Sequence, residues 1–121
     1  MSLAGLAKAA SPAISDSFRV AQIGLTATHQ DIPALILAQI KTYTSLVAQQ
    51  PTGILICNTT TVVLYVRTDN EAGDGTLGIP IQADQSLYLP IEVGTDFFNL
   101  TADLQAKLAS GTGDVSVALF F

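Results

Sequence analysis

The residues of this chain that could do chemistry are few, and their spacing does not assemble them into a site. His29 is the only histidine and Cys57 the only cysteine among 121 residues. A histidine that acts as a general base needs a nucleophile and an orienting partner, and the sequence places neither beside His29. Cys57 stands inside an apolar run, whereas a reactive thiol needs electropositive, partly exposed surroundings. We therefore expect a turn or surface histidine, a small buried cysteine and no intrachain disulfide.

Acidic residues suggest a cation site and a carboxylate pair, but neither pattern is complete. Residues 69–76 crowd together the oxygen ligands that calcium prefers, yet Pro80 stands where the closing glutamate of a calcium loop belongs. Asp96 and Asp103 could pair, but nothing in the sequence sets them at the distance that hydrolysis requires. No glycine-rich phosphate loop, G-x-S-x-G elbow or HExxH motif occurs. The sequence therefore predicts a protein that is not an enzyme and has no catalytic residue, metal site or cofactor. We predict that residues 69–76 form the solvated tip of a hairpin.

Alternating apolar and polar residues predict strands in the middle and at the end of the chain. Residues 62–67 alternate with a period of two and are rich in β-branched and aromatic types, while residues 54–57 are apolar on both parities, as in a strand covered on both sides. We predict that residues 58–61 join these two strands as a hairpin. Residues 100–108 alternate as well, although leucines four apart also suit a helix. The glycine turn at residues 110–113 and the alternation of residues 115–121 favour a closing hairpin.

The remaining elements are less regular. Residues 18–28 predict a first strand with a possible bulge at Gly24. Asp31 could cap a helix with Pro33 in its first turn, and apolar residues recur at helical spacing to residue 47, but residues 42–44 favour a strand. Helix or strand stays open for residues 34–48, with a helical or mixed connection preferred. Residues 78–81 and 86–91 predict short strands in which Pro80 and Pro90 lie at edges or strand ends.

Composition limits the class of protein. The chain is long enough for one domain with its own core, and 49% of its residues are hydrophobic but only 12% charged, against roughly 25% in ordinary soluble domains. Part of its surface is therefore expected to be covered by other chains. A net charge of −5 with five scattered cations argues against direct binding of nucleic acid. No apolar stretch has the length of a membrane span, and no signal peptide is evident, so we expect synthesis in a cytoplasm.

Residues 1–17 are small and weakly patterned, and we expect them to form an extended N-terminal arm ahead of a domain at residues 18–121. Leu3 and Leu6 are the anchors that we expect the arm to place on a neighbour. At the other terminus, Phe120 and Phe121 point to opposite faces of the last strand, so that one can enter the core and the other needs a partner. We name these four residues as candidate interface contacts.

Three stretches of the sequence resemble β-sandwich modules of bacteriophage virions. They are GILICNTTTVVLYVRT at residues 53–68, GIPIQADQSLYLPI at residues 78–91 and DLQAKLASGTGDVSVALFF at residues 103–121. The modules share an ILI-N-T…V-Y-V pair of strands, a G-x-P-(I/L)-x-A-x-x-S-L-x-L-P segment and a closing L-x-A-x-x-S-G-T-G-x-V-S-V. The resemblance spans residues 53–121 and leaves the first fifty residues uncovered.

The resemblance implies a non-enzymatic structural part of a virion, of the capsid decoration, cement or head-fibre type. It implies a mainly β fold, an antiparallel jelly-roll-like β-sandwich, that sits on the major capsid protein as a homotrimer. That the arm grips the coat is an expectation from the composition of residues 1–17, which the resemblance does not cover. The alternative is a carbohydrate-binding or host-surface-binding module of a phage fibre or tail, which the jelly roll also permits. Sugar sites favour an aromatic platform, and this chain has no tryptophan and only three tyrosines, which we assign to strands.

Overall fold

The computed structural model describes residues 19–40, 50–68, 78–100 and 103–121. The strands in these ranges are β1 Arg19–Leu25, β2 Gln30–Asp31, β3 Gly53–Cys57, β4 Leu64–Arg67, β5 Ile79–Ile81, β6 Ser86–Pro90, β7 Gln105–Leu108 and β8 Gly113–Phe120. Helix α1, Ile32–Ile40, follows β2, and a short 3-10 helix, Phe97–Asn99, precedes β7. The predicted arm, residues 41–49 and the loop at residues 69–76 lie outside the described residues.

The strands form two antiparallel sheets that have the order of a jelly roll. One sheet, here called the first sheet, has the order β1-β8-β3-β6, and the second sheet has the order β2-β7-β4-β5. Strand β1 pairs with β8, β2 with β7, β3 with β6 and β4 with β5, so the chain is a two-stranded ribbon folded back on itself between β4 and β5. The ribbon wraps so that successive pairs alternate between sheets, which is the double Greek key of the jelly roll. The predicted jelly-roll-like β-sandwich is confirmed.

The predicted hairpins at residues 58–61 and 110–113 are wrong. Strand β3 lies in the first sheet and β4 in the second, and β7 and β8 are divided in the same way. Both connections therefore cross between the sheets as arches, and they are joined where the Ala109 N–H donates to the Val63 carbonyl at 2.9 Å. Alternation indicates a strand with one inward face, but it says nothing about which sheet receives that strand.

Side chains of inward parity from both sheets form one core. Ile23, Ile54, Ile56, Val115, Val117 and Leu119 of the first sheet face Leu64, Val66, Ala106 and Leu108 of the second, and all are buried. The open end of the sandwich is covered by α1, which buries Ile32, Ile36 and Ile40 at a spacing of four residues, and by Phe97. The helical preference for this segment is confirmed up to Ile40.

Backbone register corrects one expectation and confirms another. Gly24 pairs regularly with Asp114, so β1 contains no bulge there. Pro80 lies in β5 and Pro90 ends β6, and these are the outermost strands of their sheets among the described residues, as expected for residues that cannot donate to a ladder.

Gly78, the residue before β5, has a φ of +103°. A Cβ there would lie 2.5 Å from the Val66 carbonyl oxygen, so only glycine suits this position.

Asn58, which follows β3, is a buried polar side chain in the β3–β4 arch. Its amide nitrogen donates to the Val62 carbonyl at 2.7 Å and to the Ile81 carbonyl at 2.8 Å. Its amide oxygen accepts from the Thr60 N–H at 3.0 Å and from the Thr60 hydroxyl at 2.6 Å. Asn58 is 1% exposed, and its side chain uses both donors and both acceptor positions. The amide therefore ties the β3–β4 arch to the β5–β6 connection.

We expect Asn58→Ala to lower the free energy of unfolding by about 2–4 kcal/mol, because it removes the buried donor to the Ile81 carbonyl, one donor to the Val62 carbonyl and the acceptor of the Thr60 N–H. Asn58→Asp should be at least as damaging, since a carboxylate would face the Val62 and Ile81 carbonyl oxygens. Urea unfolding followed by circular dichroism measures both. Asn99→Ala is the matched control, because its amide donates to Asp96 on the exposed surface. A loss below about 0.5 kcal/mol for Asn58→Ala would contradict this role.

Candidate interaction surface

The outward faces of the two sheets differ in chemistry, and the difference follows from the alternation of each strand. Residues of outward parity in the first sheet are mostly apolar near the end where β1 begins. Those in the second sheet are mostly polar or charged. The candidate site is therefore a surface rather than a cleft.

The outer face of the first sheet carries two neighbouring apolar rows. Register places Val20, Ala118, Leu55 and Tyr88 side by side across the four strands. The next row contains Phe120, Gly53 and Pro90. We call these seven residues the outer apolar face. Val20 is 60% exposed and Tyr88 51% exposed, whereas Ala118 is buried among its neighbours. Within the described parts of the chain, no second layer of secondary structure covers this face.

The aromatic centre of this surface depends on Gly53. A Cβ at Gly53 would lie 2.1 Å from the hydroxyl oxygen of Tyr88, so the tyrosine ring lies across the glycine. The ring centroids of Tyr88 and Phe120 are 5.9 Å apart at an angle of 67°, an edge-on contact that favours both rings. The glycine therefore lets the Tyr88 ring lie close to the backbone of β3 and contact Phe120 edge-on, which places two aromatic side chains on this face.

The outer face of the second sheet carries a hydrogen-bonded polar row. The Arg67 Nε donates to the Gln105 Oε1 at 2.9 Å, and the Arg67 Nη2 donates to the same oxygen. The Gln105 Nε2 in turn donates to the Asp31 carboxylate at 2.9 Å. These residues lie opposite one another on β4, β7 and β2. Their polar groups bond to one another across the strands, which suits a face turned to water.

The structure separates the two terminal phenylalanines, as their parity predicts. Phe121 is half-buried and packs against the hydrophobic core, while Phe120 belongs to the outer apolar face. Phe120 is therefore the one of the two that lies on the candidate surface. Leu3 and Leu6 fall outside the described residues, so their role as contacts stays a prediction.

The other residues that the sequence offered as candidates for catalysis or metal binding occupy positions with a structural role. His29 lies half-buried in the bend before β2. Cys57 is half-buried and outward-facing, not buried as expected, and its Sγ accepts a hydrogen bond from the Ser86 hydroxyl at 3.3 Å. The Asp96 carboxylate accepts from Gln50 at 3.2 Å and from Asn99 at 2.6 Å, so it anchors the 3-10 helix. In the described ranges, no group of three His, Cys, Asp or Glu could hold a metal ion.

Sequence reasoning missed Val20, Leu55 and Tyr88 as surface residues. Each was assigned to a strand. The sequence does not show, however, that Val20, near the beginning of the domain, shares a row with residues 35 or more positions away in the chain. The signal that was present is the apolar character of residues 54–57 on both parities, because Leu55 supplies the outward half of that pattern.

Comparison with protein-family models, with curated proteins and with solved structures finds no match for this chain. Among the described residues, no helix has the length and apolar character needed to cross a membrane.

We expect Gly53→Ala to displace the Tyr88 ring while changing the free energy of unfolding by less than about 1 kcal/mol, because the clashing atoms belong to the far end of a mobile side chain. Aromatic NMR shifts of Tyr88 and Phe120 report the displacement, and thermal unfolding reports the stability. Gly24→Ala on the same face is the matched control, since its Cβ would come no closer than 3.4 Å to Asp114. Unchanged ring shifts in Gly53→Ala would refute the proposed contact.

Proposed function

We propose that this chain is a non-enzymatic structural protein of a bacteriophage virion that decorates or cements the capsid by packing on the major capsid protein. The proposal of a phage virion is based on the motifs at residues 53–121, which resemble phage β-sandwich modules. The jelly-roll order of the strands agrees with that class without being specific to it, because viral capsid proteins, lectins and enzymes share this architecture.

The observation that carries the proposal is the contrast between the two outer faces. The face with Val20, Tyr88 and Phe120 is apolar and presents aromatic rings, and aromatic residues are enriched where proteins bind one another. The opposite face satisfies its polar groups through Arg67 and Gln105. A protein that lies on a coat with one face and meets water with the other requires this contrast.

The size of the outer apolar face indicates that it works together with another part of the chain. Four strands about 4.8 Å apart and two rows about 7 Å apart give an area of roughly 270 Å². A stable interface buries about 800 Å² on each partner. The sheet face alone therefore supplies about a third of the required area. The predicted arm at residues 1–17 is the segment that we expect to supply much of the remainder.

A carbohydrate-binding or host-binding module is the second candidate, and the exposed ring of Tyr88 is the observation that favours it. Sugar sites combine an aromatic ring with polar groups that bond the hydroxyls. The neighbours of Tyr88 in its row are Leu55, Ala118 and Val20, which provide no such groups. The surroundings of the ring thus favour a protein surface over a sugar. Binding on a glycan array by the wild-type chain but not by Tyr88→Ser would reverse this preference.

Co-sedimentation with capsids built from the coat protein of the same genome tests the proposal. We expect Tyr88→Ser to weaken capsid binding by about tenfold or more, since an interface tyrosine often contributes 2 kcal/mol. Tyr65→Ser is the matched control, because Tyr65 occupies an outward position on β4 in the second sheet. Equal loss in both variants, or loss in neither, would contradict the assignment of the binding face.

The same assay applied to a chain lacking residues 1–17 tests the arm. We expect this truncated chain to lose capsid binding but to stay folded, because strands β1 to β8 and the core between them lie at residues 19–121. Circular dichroism checks the fold. Full binding by the truncated chain would remove the arm from the interface.

We expect the purified protein to form a trimer, with a mass three times that of the 12.6 kDa chain. A closed threefold assembly would cover part of a charge-poor surface and would match the threefold positions of a capsid. Light scattering coupled to gel filtration at several concentrations measures the mass. A monodisperse monomer at all concentrations would contradict the trimer and would strengthen the isolated binding module.

A further inference from the structure

Strand β6 is an edge of the first sheet that lacks most of the usual protection against pairing with another chain. Among the described strands, it pairs with β3 alone. Natural edge strands are commonly very short, interrupted by proline or charged. β5 has three residues with Pro80 at the centre, β2 has two residues, and β1 begins with Arg19. β6 has five residues, none of them charged, and the first, third and fifth are exposed.

The hydrogen bonds at the two ends of β6 show which of its backbone groups point to the free edge. The Asn58 N–H donates to the Gln85 carbonyl, and the Ile91 N–H donates to the Thr52 carbonyl. In an antiparallel pair, alternate residues direct both backbone groups to the same neighbouring strand. The odd-numbered residues of β6 therefore bond to β3, and the even-numbered residues direct their backbone groups away from it.

The free edge carries two donors and three acceptors. The donors are the N–H groups of Ser86 and Tyr88. The acceptors are the carbonyls of the same two residues and of Pro90, which has no N–H. Within the described ranges, these backbone groups have no hydrogen-bond partner. Because the three residues are exposed, another chain can reach this edge.

The pattern of donors and acceptors is complementary to itself. When two antiparallel copies of β6 meet with Tyr88 opposite Tyr88, Ser86 of each copy lies opposite Pro90 of the other. Each Tyr88 N–H then donates to the Tyr88 carbonyl of the other copy, and each Ser86 N–H donates to a Pro90 carbonyl. All free donors are satisfied, and the missing N–H of the proline falls at the end of the pair.

The same register matches the side chains. Leu87 of each copy lies opposite Leu89 of the other, on the inner side, where both residues are half-buried against the core. A register centred on Leu87 also satisfies the donors, but it pairs only three residues of each strand and sets Leu89 opposite Gln85. Apolar pairs across strands stabilise a sheet, so the register centred on Tyr88 is favoured.

We propose that β6 pairs with β6 of a second copy about a twofold axis at Tyr88, which joins the first sheets of two chains into one continuous sheet. The two outer apolar faces then lie side by side. A twofold contact does not close a trimer, so this contact is separate from the predicted trimer contact and can join two trimers or two single chains. The inference does not rest on the proposed function.

The strength of the contact is limited by its size and by charge. Five residues on each copy are few beside the roughly 20–30 of a stable interface, so the pair is transient in dilute solution and forms where copies are concentrated. The exposed residues Asp84 and Glu92 flank β6, and the proposed register sets Asp84 of each copy beside Glu92 of the other. These like charges weaken the contact.

Disulfide trapping between two full-length proteins tests the proposal. Both carry Cys57→Ser, so that only introduced thiols react. One carries Ser86→Cys and the other, which has a short tag, carries Pro90→Cys. Residues opposite each other in this kind of pair have Cα atoms about 5.5 Å apart, which suits a disulfide. Each protein alone is a control, because identical positions lie about 14 Å apart along the strands.

A second control mixes the Pro90→Cys protein with a Val20→Cys protein. Val20 is exposed on the same face but lies on β1, at the opposite edge of the sheet. This mixture detects copies that stack through their outer apolar faces instead of pairing through β6. Gel electrophoresis without reductant separates the tagged heterodimers from the homodimers and measures their rates of formation at high protein concentration.

We expect the Ser86→Cys and Pro90→Cys mixture to form heterodimers about tenfold faster than either control forms dimers. Adding Asp84→Asn and Glu92→Gln to both proteins should raise that rate about threefold, because two like-charge pairs are removed. Misfolding does not imitate such a gain. Equal rates in the test and control mixtures would overturn the pairing through β6, and a rate unchanged by the two neutral substitutions would overturn the register.

Discussion

The sandwich depends on how the backbone groups of its arches are satisfied, and one side-chain amide, that of Asn58, bonds three of them. A strand that leaves its sheet exposes carbonyls that no ladder can pair, and each unpaired buried group destabilises the fold by about 1–3 kcal/mol. Asn58 supplies the donors for the Val62 and Ile81 carbonyls. Because β3 is the strand between β8 and β6, its register sets which residues become neighbours on the outer surface.

The outer apolar face is a consequence of that register rather than of any single residue. Val20, Leu55 and Tyr88 come from three distant parts of the chain, and they form one row only because β1 and β3 pair with β8, and β6 pairs with β3, in the observed alignment. A shift of one residue in β3 would turn Leu55 inward and Ile54 outward. Gly53 adds the space in which the tyrosine ring lies close to the backbone of β3. Core stability and surface chemistry are therefore set by the same backbone alignment.

The sequence was sufficient to predict the strands and the class of fold, because alternation with a period of two is a local property. It was not sufficient to predict which strands pair. Residues 58–61 and 110–113 are short, polar and rich in turn-forming residues, as hairpin loops are, yet both are arches between sheets. The deciding information lies in contacts between residues far apart, such as the two carbonyls that Asn58 reaches. The outer apolar face was hidden for the same reason, although parity alone predicted that one of Phe120 and Phe121 points outward.

The pairing of β1 with β8 also determines when the chain can fold. Arg19 and Leu119 are partners, so the first described strand cannot enter its sheet until the last one has been synthesised. Among the described strands, only β4 and β5 pair across a short stretch of chain. Such non-local topologies fold slowly, in milliseconds to seconds, because long loops must close, with a loss of entropy, before the stabilising contacts can form. During translation, β1 and β3 therefore expose strand edges that other nascent copies can pair with until β8 has been synthesised. Yield in a host that makes many copies at once is thus limited by the rate of folding as much as by final stability.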